Sequence, residues 1–115
     1  MTSMANATSI GRQAEHAAAQ ELRGQDFTLV AQNWRTRWCE IDIVASKSKV
    51  IYFVEVKYRS SSLQGDGLEY ITRQKLKQMH FAAEFWCAKN NWQGDYELAA
   101  ISVDGDFTVG ELVVV

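Results

Sequence analysis

The chain has no proline, only two cysteines and two histidines, and no apolar run near the roughly 20 residues that span a bilayer. Each shortage closes off a class of protein. Without Pro-rich, repeated or low-complexity stretches there is no sign of a linker, and 115 residues of ordinary globular composition are enough for one core. Cys39 and Cys87 stand far apart and fit neither a CxxC nor a zinc-ligand spacing, so they are expected as free thiols in a reducing, cytoplasmic compartment. His16 and His80 match no motif. The opening "MTSMANATS" lacks the charged and apolar regions of a secretory signal and is expected to be a frayed lead-in over 1–8, followed by a single domain over 9–115.

Charge of one sign is scarce overall but not locally. The net charge of −2 argues against a non-specific nucleic-acid binder. Yet residues 35–77 hold nine of the twelve Lys and Arg against five acids, a net of +4, and the rest of the chain carries −6. The basic middle favours a polyanionic partner.

Residues 9–23 read as a helix with an apolar stripe of Ile10, Ala14, Ala17, Ala18 and Leu22. Ser9 or Thr8 is expected to cap it, and Gly24 to stop it in the left-handed conformation. Glu15 lies on the border of that stripe. Strand-like runs follow at 27–34, 39–46 and 50–60. The third is apolar on both faces through Val50–Val54, as a central strand covered on both sides would be. A polar loop at 60–67 precedes a long amphipathic helix over 68–90, on Leu68, Ile71, Leu76, Met79, Ala82, Ala83 and Trp86. Residues 96–103 and 107–115 read as two further strands, a hairpin turning at Asp104-Gly105-Asp106. The order is α-β-β-β-α-β-β, an α/β or α+β sheet with a helix on each face.

The two clearest strands carry Asp42, Glu55 and Lys57 where water should be scarce, although charges are seldom buried without partners. By strict alternation Glu40, Asp42 and Val44 share one face, as do Phe53, Glu55 and Lys57. A two-residue loop at Ser48-Lys49 sets Asp42 opposite Glu55, a four-residue loop sets Glu40 there, and an odd loop separates the acids. Two carboxylates so close repel unless something positive lies between them. Mg²⁺ or Mn²⁺ would resolve this, with Lys57 beside a water, an arrangement suited to attack on a phosphodiester. A salt bridge from Lys57 to Asp42 or Glu55 at a sheet end accounts for the same spacing.

"GRQAEHAAAQELRGQDFTLVAQNWRTRWCEIDIVAS" with "VIYFVEVKYRSSS" resembles the YraN-type family of uncharacterised bacterial proteins. That family is assigned to the PD-(D/E)XK nuclease-like superfamily and is similar to Holliday junction resolvases. The resemblance implies a restriction-endonuclease-like α-β-β-β-α-β core, a central mixed sheet flanked by helices. It puts Asp42 in the place of the PD aspartate, Glu55 and Lys57 in that of the (D/E)XK pair, and Glu15 in that of the helix acid. Asp42, Glu55 and the Val56 carbonyl would hold the metal, and Lys57 would position the water. Arg35, Arg37, Arg59 and Lys75 become phosphate contacts. Ala14 and Cys39 stand where the family usually has glycine.

The leading expectation is thus a Mg²⁺- or Mn²⁺-dependent endonuclease on nucleic acid, DNA rather than RNA and branched DNA in particular, acting as a homodimer away from membranes. The competing expectation is a binding or interaction module that has kept the fold without catalysis. Most of the four tryptophans are expected to pack rather than to stack on bases.

Overall fold

The apolar runs build a five-stranded mixed sheet with one helix against each face. The computed structural model describes residues 7–60 and 71–115, in the order α1 (Ala7–Gly24), β1 (Thr28–Arg35), β2 (Glu40–Lys47), β3 (Val50–Arg59), α2 (Arg73–Lys89), β4 (Tyr96–Asp104) and β5 (Val113–Val114). The strands lie side by side in chain order. β1, β2 and β3 form an antiparallel meander, β4 joins β3 in parallel through the α2 crossover, and β5 returns antiparallel to β4. This is the expected α+β architecture with a central sheet flanked by helices. The 60–67 loop beyond Ser60, Leu68, and positions 1–6 of the lead-in lie outside the described residues.

β3 is central, and its two faces feed two cores. Val54 packs with Ile43, Ala45, Ile101 and Val103 under α1, against Ala14, Ala18, Ala19 and Leu22. Ile51 and Phe53 pack with Ile41 and Val44 under α2, against Ala82, Ala83 and Trp86. Alanines at the contact surface of α1 have no side chain to hold the helix away, so its backbone lies close to the sheet. Glu15, next to Ala14, is thereby brought to the sheet as well.

α1 begins at Ala7 rather than Ser9 and runs through Gly24. The expected glycine stop is wrong, because the left-handed residue is Asp26, with φ 70°. Asp26 N–H donates to the Arg23 carbonyl and Phe27 N–H to that of Leu22, a Schellman closure in which Phe27 folds onto the same core as Leu22. Aspartate tolerates that conformation better than most residues. α2 starts at Arg73, five residues later than expected, so Ile71 lies before the helix. Thr72 caps it by accepting from Lys75 N–H at 3.1 Å.

The last strand is also shorter than expected. Val103 bridges Val109, but regular pairing returns only at Val113–Val114. The pairing sums of the two segments differ by one residue, so the chain bulges at 110–112. Gly110 sits at that bulge, where a β-carbon would come within 2.9 Å of Ser102 Oγ.

Candidate functional site

The β2–β3 hairpin sets the site. Lys47 pairs with Val50, so the connection is the two-residue loop Ser48-Lys49. Both residues are left-handed, φ 54° and 68°, as a type I′ turn requires. Pairing continues through Ala45–Tyr52 to Ile43–Val54 and there stops. The ladder's alternation would next join Ile41 to Val56. Instead Val56 N–H donates to Asp42 Oδ2 at 2.8 Å, and a carboxylate replaces the backbone acceptor.

Strict alternation fails at this point. Val44 and Ile41, three residues apart, both pack on the α2 side, although Ile43 packs on the α1 side. Their partners on β1, Ala31 and Trp34, show the same switch, with left-handed Asn33 (φ 51°) between them. The expectation that Asp42 shares a face with Val44 is therefore corrected. β1 and β2 rotate together at Asn33 and Asp42, and the Asp42 side chain is hydrogen-bonded to Glu15 of α1.

Asp42 is the electrostatic centre of the group. Burial pushes its carboxyl up to about 7, the charge of Glu55 adds to this, and Glu15 and Glu40 push further in the same direction. The bond from Val56 N–H opposes them without winning. Glu15 is raised too, chiefly by burial, against the hydrogen bond with Asp42 and the charge of Arg35. Both carboxyls of the pair are thus pushed toward the protonated form.

Glu55, on the α2 side of β3, is paired with Lys75 of α2 at 3.0 Å, and both groups are half-buried. Lys75 is accordingly part of the carboxylate site as well as a candidate phosphate contact. Lys57 is exposed, two residues beyond Glu55. Arg59 reaches Asp104 at 3.9 Å, in register with it across β3 and β4. Arg35 lies 3.6 Å from Glu40, both well exposed, and donates to Asn33 Oδ1. Arg37 lies over the Trp38 ring at 5.3 Å.

A cleft of about 570 Å³ opens where β2 and β3 part, lined by Arg35, Trp38, Glu40, Glu55, Lys75 and Lys77 among others. Asp42 and Glu15 are not among its lining residues. Among the described residues, no three His, Cys, Asp or Glu side chains are already drawn together as a metal cage. Half-buried beside Glu55 and Glu15, Asp42 is pushed toward the uncharged acid, and a divalent cation there would relieve both the repulsion and the burial cost.

Sequence reasoning missed Lys75 as a partner of Glu55 and Thr72 as the cap that starts its helix. Thr72, a favoured cap residue, was the available signal for the helix start, and no spacing pairs Lys75 with Glu55. Three of the four tryptophans pack as expected, Trp86 buried and Trp34 and Trp92 against the α2-side core, whereas Trp38 is 64% exposed. Cys39 and Cys87 are free, and Cys39 packs at the edge of that core. Among the described residues, no helix is long and apolar enough to cross a membrane.

Comparison with known proteins agrees with these motifs. The model of Uncharacterised protein family UPF0102 matches residues 14–104. A UPF0102 protein of Clavibacter michiganensis is 40% identical over 84 residues, covering 73% of this chain and 71% of the relative. One from Pseudomonas putida is 35% identical over 96 residues, with 84% and 77% covered, and one from Chlorobium limicola is 35% identical over 99, with 85% and 77% covered.

Proposed function

This chain belongs to the uncharacterised family UPF0102, the YraN type of the PD-(D/E)XK nuclease-like superfamily, and from that premise we propose that it is a metal-dependent endonuclease on nucleic-acid phosphodiesters, with branched DNA as the leading substrate. The observation that carries the reading is Asp42, a half-buried carboxyl whose ionisation is opposed first by burial and then by the charge of Glu55, at the point where two strands part.

Asp42 and Glu55 would hold Mg²⁺ or Mn²⁺, with Val56 supplying its carbonyl and Glu15 completing the acidic surround. When bound, the ion would polarise a phosphoryl oxygen and lower the pKa of water. The protein's own groups do the rest. Val56 N–H fixes Asp42 in place, and Lys57, exposed two residues beyond Glu55, would position the attacking water. Arg35, Arg37, Arg59 and Lys75 supply positive charge for the phosphates. Lys75, paired with Glu55 at 3.0 Å, would be released toward a phosphate if an ion took its place on that carboxylate. A cytoplasmic location fits the two free thiols, and a homodimer would present two such sites to two strands.

The Lys75–Glu55 ion pair favours a second reading, a nucleic-acid-binding module whose carboxylates are already neutralised. Calorimetry with Mn²⁺ and Mg²⁺ on the wild type and Glu55→Gln, followed by cleavage assays on branched, single-stranded and duplex substrates, separates the two. One-site binding lost in Glu55→Gln, with cleavage that follows it, supports the nuclease. Salt-dependent nucleic-acid binding that ignores both metal and substitution supports the module.

A further inference from the structure

The β1–β2 turn is more rigid than its exposure requires. Thr36 N–H donates to the Cys39 carbonyl at 2.8 Å, and Thr36 Oγ1 accepts from the N–H groups of Trp38 and Cys39 at 3.0 and 3.1 Å. The turn therefore holds Arg37 and Trp38 out from the sheet in a fixed pose. Trp38 remains 64% exposed, and across the cleft Phe81 of α2 is 51% exposed. Leaving two large aromatics in water forgoes the burial that aromatic side chains usually gain.

These rings are not loose. Phe85 lies behind both, with centroids 5.7 Å from Trp38 and 6.0 Å from Phe81, and it also touches Trp34 at 6.1 Å. Trp34 in turn packs on the α2-side core. The result is an aromatic platform anchored in the protein and facing the cleft that reaches Glu55. Its surroundings carry a small excess of positive charge: Arg35, Lys75 and Lys77 line the same cleft with Glu40 and Glu55, and the Arg37 guanidinium lies over the Trp38 ring.

Flat apolar rings interleaved with positive charge complement a polymer with a planar base on every phosphate. In a duplex the base faces are covered by their neighbours, so an exposed ring has nothing to stack on. An unpaired strand offers them freely, and base–aromatic stacking is largely indifferent to sequence. We propose that Trp38 and Phe81 form a stacking platform for unpaired nucleotides, so that the cleft selects single-stranded segments such as overhangs, flaps or the open arms of a junction. The inference rests on the nucleic-acid reading above and deepens it. The platform binds bases, Lys77 an adjoining phosphate, and the strand so held runs toward the carboxylates.

The test is fluorescence anisotropy in EDTA, which keeps binding separate from cleavage. The probes are a labelled oligothymidylate of about 12 nucleotides, the same backbone with abasic sites, and a blunt duplex of equal length. Wild type is expected to bind the oligothymidylate well above the other two. Trp38→Ala should weaken that binding by about five- to 150-fold and leave the abasic strand unaffected, and Trp38→Phe should restore most of it. The exposed position of Trp38 keeps the fold intact in either variant. Equal affinity for the base-bearing and abasic strands, or unchanged binding in Trp38→Ala, overturns the platform even if metal-dependent cleavage is found. A base-dependent, Trp38-dependent complex with no cleavage in any metal sustains the platform and removes the nuclease.

Discussion

Replacing Asp42 with asparagine should make the metal-free protein more stable at pH 8. Such a gain would be unexpected for a residue that served only to hold the fold. Asp42 titrates near 7 in the folded chain against 3.8 for an ordinary aspartate, so the folded state holds its proton more tightly than the unfolded state does. The sign follows from linkage. The stability associated with this proton is complete below about pH 4, declines as pH rises toward 7, and is gone above that. Three pH units at about 1.4 kcal/mol each set a ceiling of about 4 kcal/mol on what the ionised group costs. The introduced asparagine would keep an oxygen for Val56 N–H and remove the charge facing Glu55 and Glu15. Its amide NH₂ must also find an acceptor, which returns about 1 kcal/mol or more. The net expectation is a gain of about 1–3 kcal/mol at pH 8, or roughly 4–12 °C in Tm for a chain of this size. At pH 4.5, where wild-type Asp42 is already protonated, the gain should nearly vanish. Urea titrations in EDTA at the two pH values measure the difference directly. A variant less stable than wild type by about 1 kcal/mol or more at pH 8 would mean that Asp42 is ionised and paired for structure, which would refute the reasoning.

Three further outcomes rest on the same geometry. Divalent-metal affinity should rise from pH 6 to pH 8 with release of about one proton, read from calorimetry in buffers of different ionisation enthalpy; a pH-independent affinity would exclude Asp42 as a ligand. Lys75→Met should raise Mn²⁺ affinity at low salt, because the ammonium 3.0 Å from Glu55 no longer competes with the ion; an unchanged or weaker affinity would show that the ion pair does not guard the site. Lys49→Gly should raise the urea midpoint by the equivalent of about 0.5–1 kcal/mol, since glycine adopts φ 68° without the steric cost that a side chain carries there, and a loss would point to contacts made by the Lys49 side chain.

Much of the fold was legible because it is written in periodicity. The double-sided apolar run at Val50–Val54 identified β3 as central, and the Ala-rich stripe identified the face of α1. What the sequence did not reveal lies where local rules give way to tertiary ones. Gly24 carries the usual helix-stop signal, but Leu22 and Phe27 can meet on the core only if the chain turns two residues later, at Asp26. The two-residue turn at Ser48-Lys49 lacks the Asn-Gly signature, so its length remained open among two, four or an odd number of residues.

The most consequential miss is the rotation at Asn33 and Asp42. Alternation assumes that a strand stays in its ladder, and this one leaves it where the side chain of Asp42 takes the Val56 N–H. Placed by the rule, Asp42 would lie with Val44 under α2, remote from Glu15. Placed by the structure, it stands between the α1 acid and Glu55 on the α2 side, reachable from both faces of the sheet. Breaking the ladder is therefore what gathers carboxylates from α1, β2 and β3, and it also parts β2 from β3 to open the cleft. The departure from strand periodicity and the formation of the site are one structural event. Residue patterns marked Asp42 as out of place, and only the backbone shows why it is there.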